Sequence, residues 1–236
     1  MQSTLGEFQE TQSEQPFALQ NSKLLKVSLD QVTIQAQAGS MVAYQGDVAF
    51  EHAGSGGLSR MMKKAVTGEG TKLMRMSGTG EVFLAHTAQE IHLLYLENDA
   101  ITVNGENLLA FDAGIDWDIR RVEGVSGFMG GGLFNMALTG TGWVAVVSDG
   151  PPVLLNTGEA PTFADPQAAI TWASSVKTGI KTDIKLKNLI GRGSGESVQM
   201  SFSGPGWVLV QPSEGRVAAG TPSGGGAGGL LSSLGG

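Results

Sequence analysis

The chain contains 236 residues, carries a formal net charge of −7 at pH 7 and has no cysteine. The absence of cysteine excludes disulfides, thiolate zinc sites and a cysteine nucleophile, and the acidic charge opposes general attraction to nucleic acid or an anionic membrane. Glycine supplies 36 residues while charged residues reach only 16%, which favours an all-β body with many tight turns over a helical bundle.

The N-terminal segment, residues 1–15, has three glutamates (Glu7, Glu10 and Glu14) and neither lysine nor arginine. Secretory signals and mitochondrial transit peptides are rich in basic residues, so the sequence predicts neither of them. No apolar run approaches the roughly 18 residues that a membrane-spanning helix needs. We therefore expect a cytoplasmic protein without a transmembrane segment.

A G-x-G figure followed by alternating apolar residues occurs three times, as SGTGEVFLA (77–85), TGTGWVAVV (139–147) and SGPGWVLVQ (203–211). The first glycines, Gly78, Gly140 and Gly204, are 62 and 64 residues apart. Alternation on both sides of the glycines indicates two strands joined by a tight turn, where glycine reaches a positive φ without a Cβ clash. The sequence therefore predicts three hairpins.

A second figure recurs in MVAYQGDV (41–48), LLAFDAGI (108–115) and AITWASSV (169–176). It places Tyr44, Phe111 and Trp172 in register, 67 and 61 residues apart. Before the third copy, Asp165 and Pro166 are typical of a capped helix, but they also suit a turn before a strand, and the register favours the strand. Two figures recurring in the same order predict three tandem β repeats that share a core around a common axis.

The predicted organisation is an N-terminal segment (1–15), one triplicated β domain (16–214) and a disordered glycine-rich tail (215–236). The repeats are expected at about 24–95, 96–152 and 153–214. The aromatic and methionine positions that recur in both figures are the predicted core. They are Tyr44, Met74, Met76, Phe111, Met136, Trp172, Met200 and Phe202.

Three stretches together resemble the altered inheritance of mitochondria number 24 family, a mitochondrial biogenesis family with many bacterial members. They are LQNSKLLKV (19–27), TGEGTKLMRMSGTGEVFLA (67–85) and SGPGWVLVQPSEG (203–215). The resemblance covers roughly residues 16–214. It implies three short double-stranded β-helix units, jelly-roll-like, around a pseudo-threefold axis, with a unit fold similar to the tryptophan-responsive RNA-binding attenuator protein. It supplies no established catalytic residue, and fungal members are linked to inner-membrane organisation and respiratory-chain integrity.

Catalytic signatures are missing from the sequence. There is no P-loop motif, and Ser126 does not stand in a nucleophile elbow. His86, Glu90 and His92 lie close together in the chain, but a metal site needs a further ligand that the sequence does not nominate. We therefore expect neither a metal, nor a cofactor, nor a catalytic residue, and we expect that the protein is not an enzyme.

Two basic patches stand out in the acidic chain. In LSRMMKKAV (58–66), helical spacing separates basic from apolar residues, which indicates either a segment folded over the core or an amphipathic docking element. In TDIKLKNLIGR (182–192), strand alternation makes one face basic, as on a solvated edge or a lipid-headgroup or nucleotide site. The candidate interaction residues are Arg60, Met61, Met62, Lys63, Lys64, Lys181, Lys185, Lys187 and Arg192.

The sequence thus favours a non-catalytic binding or scaffold protein, linked through the family to membrane organisation or respiration. A protein or lipid partner and a homo-oligomer both remain open. One alternative is a module that binds RNA or a small ligand, by analogy of unit fold, although the acidic charge and few aromatic residues argue against nucleic acid. The other alternative is an enzyme with a site at the repeat junctions.

Overall fold

The computed structural model describes residues 3–52, 72–121, 134–181 and 199–213. Across these residues the protein is all-β with almost no helix, which confirms the predicted class: it has one 3₁₀ helix, Leu5–Phe8, and fifteen strands. The strands are β1 (Phe17–Asn21), β2 (Leu24–Ser28), β3 (Ile34–Gln37), β4 (Met41–His52), β5 (Leu73–Leu84), β6 (Glu90–Asn104), β7 (Leu108–Asp112), β8 (Asp116–Arg121), β9 (Phe134–Ser148), β10 (Val153–Asn156), β11 (Thr162–Ala164), β12 (Ala169–Ala173), β13 (Lys177–Lys181), β14 (Gln199–Ser203) and β15 (Trp207–Val210).

The described strands form a large antiparallel sheet and a small one. The large sheet has twelve strands in the order β1-β2-β5-β3-β7-β9-β6-β12-β15-β10, with β4 added on β5 and β8 added on β9. The small sheet has three strands in the order β11-β14-β13. Strands from distant parts of the chain are neighbours in the large sheet, where β3 pairs with β7 and β6 pairs with β12.

The G-x-G figures are bends within strands rather than hairpin turns in the first two copies. β5 runs without interruption through Gly78 and Gly80, and β9 does the same through Gly140 and Gly142. All four glycines have positive φ, between +129° and +152°. The predicted hairpins are wrong here because a continuous partner strand, such as β4 along β5, holds both halves in one ladder. Only in the third copy does the chain break into two strands, β14 and β15.

At the second glycine of each figure, Gly80, Gly142 and Gly206, the structure leaves no room for a Cβ. A Cβ on Gly80 would collide with the carbonyl oxygen of Gln45 on the neighbouring strand. A Cβ on Gly206 would lie 2.6 Å from Cγ2 of Val176. Glycine is therefore required both for its backbone conformation and for the close approach of the next strand.

The segment after Asp165 is a strand, as the register predicted, and not a helix. The Asp165 carboxylate accepts a hydrogen bond of 2.7 Å from the Gln167 amide, and the Asp165 carbonyl accepts one of 3.0 Å from the amide of Ala168. These bonds close a turn directly before β12. Within β12, Trp172 pairs with Val208, just as Phe111 pairs with Val144.

Most of the predicted core is buried, with two exceptions. The buried members are Met76, Phe111, Met136, Trp172, Met200 and Phe202. Met74 is partly buried against the first of three apolar clusters. Tyr44 is 50% exposed, so its assignment to the core is wrong. The reason is its strand: within the described residues β4 pairs only with β5, which leaves its other edge uncovered.

Candidate binding surfaces

The first basic patch, Arg60, Met61, Met62, Lys63 and Lys64, lies outside the described residues. Three members of the second patch, Lys185, Lys187 and Arg192, lie outside them too. Lys181 is described, at the end of β13 in the small sheet, and it is exposed.

Lys181 stands over an exposed aromatic ring. Its Nζ is 4.5 Å from the centroid of the Phe163 ring on β11, and a contact of this kind contributes about 0.5–1 kcal/mol at an exposed site. Lys177 is also exposed. It lies four residues before Lys181 in β13, so the two side chains share one face of the strand. Within β11, β13 and β14 these two lysines are the charged residues, so the small sheet presents a basic, partly aromatic surface.

A polar cleft of about 90 Å³ lies where several connections meet at one end of the strands. The chain enters it after β5, between β6 and β7, after β9, before β12 and after β15. The lining residues are His86, Thr87, Gln89, Glu106, Asn107, Asp149, Gln167 and Gln211. Side-chain amides and carboxylates from distant parts of the chain therefore converge there, a constellation that the sequence analysis missed.

Gln211 is the centre of the hydrogen-bond network behind the cleft. It is buried, and its Oε1 accepts bonds from Asn107 Nδ2 (3.3 Å) and the Asp149 amide (3.0 Å). Its Nε2 donates to the carbonyl of Gln167 at 3.1 Å. One amide thus joins three connections, and because both of its ends are engaged it holds the cleft in shape.

The connection between β5 and β6 carries local strain at the cleft. Thr87 and Ala88 have φ of +45° and +57°, a left-handed conformation that costs non-glycine residues of order 1–3 kcal/mol. Beside them, Gln89 Nε2 donates to Asp149 Oδ1 at 2.9 Å. The buried Gln89 Oε1 has no hydrogen-bond partner among the described residues.

His92 contacts Ser148, which precedes Asp149 of the cleft lining. Its Nε2 is 2.7 Å from Ser148 Oγ, which in turn donates to the carbonyl of Gly150 at 2.7 Å. Burial lowers the pKa of His92, and the nearby carboxylate of Glu90 offsets this only in part. Among the described residues no three His, Asp or Glu side chains are grouped to hold a metal ion.

A buried lysine fastens the N-terminal segment to the sheet. Lys26 Nζ lies 2.7 Å from Glu81 Oε1 and 3.4 Å from Glu10 Oε2, and it donates to the carbonyl of Thr11 at 3.1 Å. Burial alone would lower the pKa of Lys26, but the two carboxylates outweigh it and raise the pKa above its ordinary value. This cluster explains how Glu10 and Thr11 are held. It is structural, and it leaves no donor open to a ligand.

Comparison with known proteins identifies the family. The family described as mitochondrial biogenesis AIM24 matches residues 17–213. The fold is similar to the X-ray crystal structure of protein SPYM3_0169 from Streptococcus pyogenes, with a TM-score of 0.67 and 23% sequence identity over 83% of this chain and 91% of that chain. No curated protein matches, and across the described residues no helix is long and apolar enough to cross a membrane. The chain therefore belongs to the mitochondrial biogenesis AIM24 family.

Proposed function

We propose that the chain is a non-catalytic, cytoplasmic scaffold or binding protein built from three copies of one β unit. The first unit comprises β2–β5, the second β6–β9 and the third β10–β15. The single strand β9 then corresponds to β5 and to the pair β14 and β15. A strand that is continuous in one unit is divided in another, which is why the fourteen strands β2–β15 compose three equivalent units.

The observation that carries this proposal is one backbone hydrogen bond made at three equivalent positions. Each G-x-G figure is followed by a valine: Val82, Val144 or Val208. The amide three residues after that valine donates a hydrogen bond to a carbonyl in the same unit. That carbonyl belongs to the residue four positions before the aromatic position of the second figure. The bonds are Ala85 to Ser40 (2.8 Å), Val147 to Asn107 (2.8 Å) and Gln211 to Ala168 (2.9 Å). Their side chains differ, so what recurs is backbone geometry and not a set of reactive groups, which is typical of a scaffold.

The proposed ligand-facing surface is the pair of basic patches. Lys177 and Lys181 support it, because they present two exposed charges beside an exposed aromatic ring. Each basic residue near an anionic surface contributes about 1 kcal/mol, so three or four such residues give weak, salt-sensitive attachment. An anionic lipid headgroup or an acidic protein surface is the partner class that fits.

Liposome co-sedimentation tests this attachment. Wild type is compared with Lys63→Glu/Lys64→Glu and with Lys185→Glu/Lys187→Glu on vesicles with and without anionic lipid. Lys23→Glu/Lys72→Glu is the matched control, since it makes the same charge change on exposed lysines elsewhere. We expect both patch variants to lose binding while the control keeps it. Equal binding of all four proteins to the vesicles would mean that the patches are ordinary solvated surface and would contradict the proposal.

A second candidate function, binding of a small polar ligand, is favoured by the unpartnered Gln89 Oε1 beside the cleft. A ligand with hydrogen-bond donors would satisfy this oxygen. Native mass spectrometry of the purified protein tests it by searching for a co-purified small molecule. The matched variant is Gln89→Leu, which should release that molecule. A wild-type mass equal to that of the chain alone would contradict this candidate function.

A further inference from the structure

Among the described strands, two pairs join the units within the chain, and we call them the internal junctions. At the first, β3 pairs with β7 and Gln35 stands opposite Phe111. At the second, β6 pairs with β12 and Thr102 stands opposite Trp172. In both, the aromatic side chain is covered: Phe111 is 0% and Trp172 is 4% exposed.

The internal junctions share a further bond beyond the aromatic position. Two residues after Phe111, the amide of Ala113 donates to the carbonyl of Thr33 at 2.8 Å. At the second junction, the amide of Ser174 donates to the carbonyl of Ala100 at 3.1 Å. The two junctions therefore have the same register, and they define what a complete junction between units looks like.

A third pair of edges has the same parts but no partner within the part of the chain that the structure describes. By unit correspondence, Tyr44 on β4 is the counterpart of Phe111 and Trp172, and Phe163 on β11 is the counterpart of Gln35 and Thr102. Among the described residues β4 pairs only with β5, and β11 pairs only with β14. Tyr44 is 50% and Phe163 is 44% exposed. Each of these exposed rings occupies a position that is buried at the internal junctions.

The face of β4 that carries Tyr44 is apolar because it continues the core-facing side of the sheet. Tyr44 pairs with Val82, and Val82 pairs with Val27, and both valines are fully buried. Val42, at the bulge where the pairing shifts between Met41 and Ala43, is 59% exposed. An apolar edge strand with unpaired backbone groups is a template for another strand, and folded proteins ordinarily block or cover it.

The strand β4 is acidic and the small sheet is basic. Along β4 the charged residues are Asp47 and Glu51, both exposed and on the face opposite Tyr44. The lysines of the small sheet, Lys177 and Lys181, lie on β13, two strands from β11, and Lys181 Nζ reaches the Phe163 ring of β11 at 4.5 Å. Opposite charge steers the two surfaces together, and the acidic residues of β4 oppose its pairing with its own copy.

We propose that β4 of one molecule pairs antiparallel with β11 of a second copy, in the register of the internal junctions, with Tyr44 opposite Phe163. This assembly rests on the correspondence of units proposed above and adds a partner that the basic patches do not require. Such a contact uses two different surfaces, so it is heterologous. Repeated contacts close into a ring or continue as a filament.

Assembly state is the test, measured by light scattering after size exclusion over a range of concentrations. We expect wild type to form oligomers whose mass rises with concentration. Tyr44→Lys removes one edge and Phe163→Lys removes the other, so each alone should be a monomer. Their mixture should form a dimer, because the first variant retains β11 and the second retains β4. The control is Leu154→Lys on β10, 63% exposed, which should assemble like wild type.

The outcomes separate this assembly from its alternatives. A wild type that stays monomeric at every concentration overturns it, since both edges are then covered within one chain. Variants that assemble normally, or that stay monomeric when mixed, also overturn it. Circular dichroism and thermal melts confirm that the variants fold. Vesicle binding is measured separately, so failure of the basic patches and failure of the assembly are distinguishable.

The absence of cysteine allows a second test that does not weaken the edge. Ala36 stands opposite Ala110 and Val103 opposite Thr171 at the internal junctions, so Ala43 should stand opposite Ala164 across the contact. Mixing Ala43→Cys with Ala164→Cys under mild oxidation should give a disulfide-linked dimer, because directly opposed residues are within bridging distance. Pairing either variant with Leu154→Cys should give none. An equal yield from both mixtures would refute the register.

Discussion

Replacing Gly80 with alanine tests whether the close approach of strands at the bends is needed for stability. Gly80 has φ +152°, and a Cβ there would collide with the backbone oxygen of Gln45. Gly140 is the matched control, because its φ is +137° while the nearest atom to a Cβ is 3.7 Å away. Both substitutions strain the backbone, by about 1–3 kcal/mol, but only the first adds a collision that no side chain can relieve.

The collision should cost about 1–3 kcal/mol beyond the strain, as overpacking of a folded interior does. For a domain of this size that corresponds to a melting temperature roughly 3–10 °C lower for Gly80→Ala than for Gly140→Ala. Urea unfolding monitored by tryptophan fluorescence gives the free energies. If the two variants unfold at the same urea concentration, contact between β4 and β5 is looser than the structure has it, and the reasoning fails.

Three further predictions concern charge, titration and the tail. Glu81→Gln should lower the free energy of unfolding by about 1–2 kcal/mol, because it leaves the buried Lys26 with a weaker partner. Urea unfolding measures this loss, and the control Glu14→Gln should show none. Burial lowers the pKa of His92, so its contribution is present above the ordinary value of about 6.5 and is lost as pH falls. His92→Gln should therefore lose less stability than wild type between about pH 8 and about pH 5. A chain ending at Gly215 should melt at the wild-type temperature, since residues 216–236 contain few larger aliphatic side chains; a clear drop would contradict the predicted tail.

Strands and most core positions follow from local sequence, and the failures have a shared physical cause. Alternation on both sides of a G-x-G fits a hairpin and a bent strand equally well, and only the continuous partner β4 decides between them at Gly78 and Gly80. Tyr44 has the same local pattern as Phe111, yet one is exposed and the other buried. The difference lies in the strand on the far side, which no local pattern encodes.

The polar cleft was missed for a related reason. Its side chains come from connections and not from the alternating strands, and Gln211 occupies the position that Ala85 and Val147 hold in the other units. A single glutamine at an otherwise apolar position is a weak signal in one sequence. It becomes informative only when Asn107 and Asp149 are seen to meet it.

The residue types at the three junction positions bear on why one edge is left open. The internal junctions place the polar side chains of Gln35 and Thr102 beside a buried aromatic ring, and both polar side chains are themselves buried. At the third position Phe163 is exposed instead. If this edge faced only water, the polar residue would be expected there and the aromatic inside. Burial of Phe163 against Tyr44 of a second copy removes that contradiction, because the exposed ring then packs against a tyrosine, a residue type enriched among the dominant contacts of interfaces.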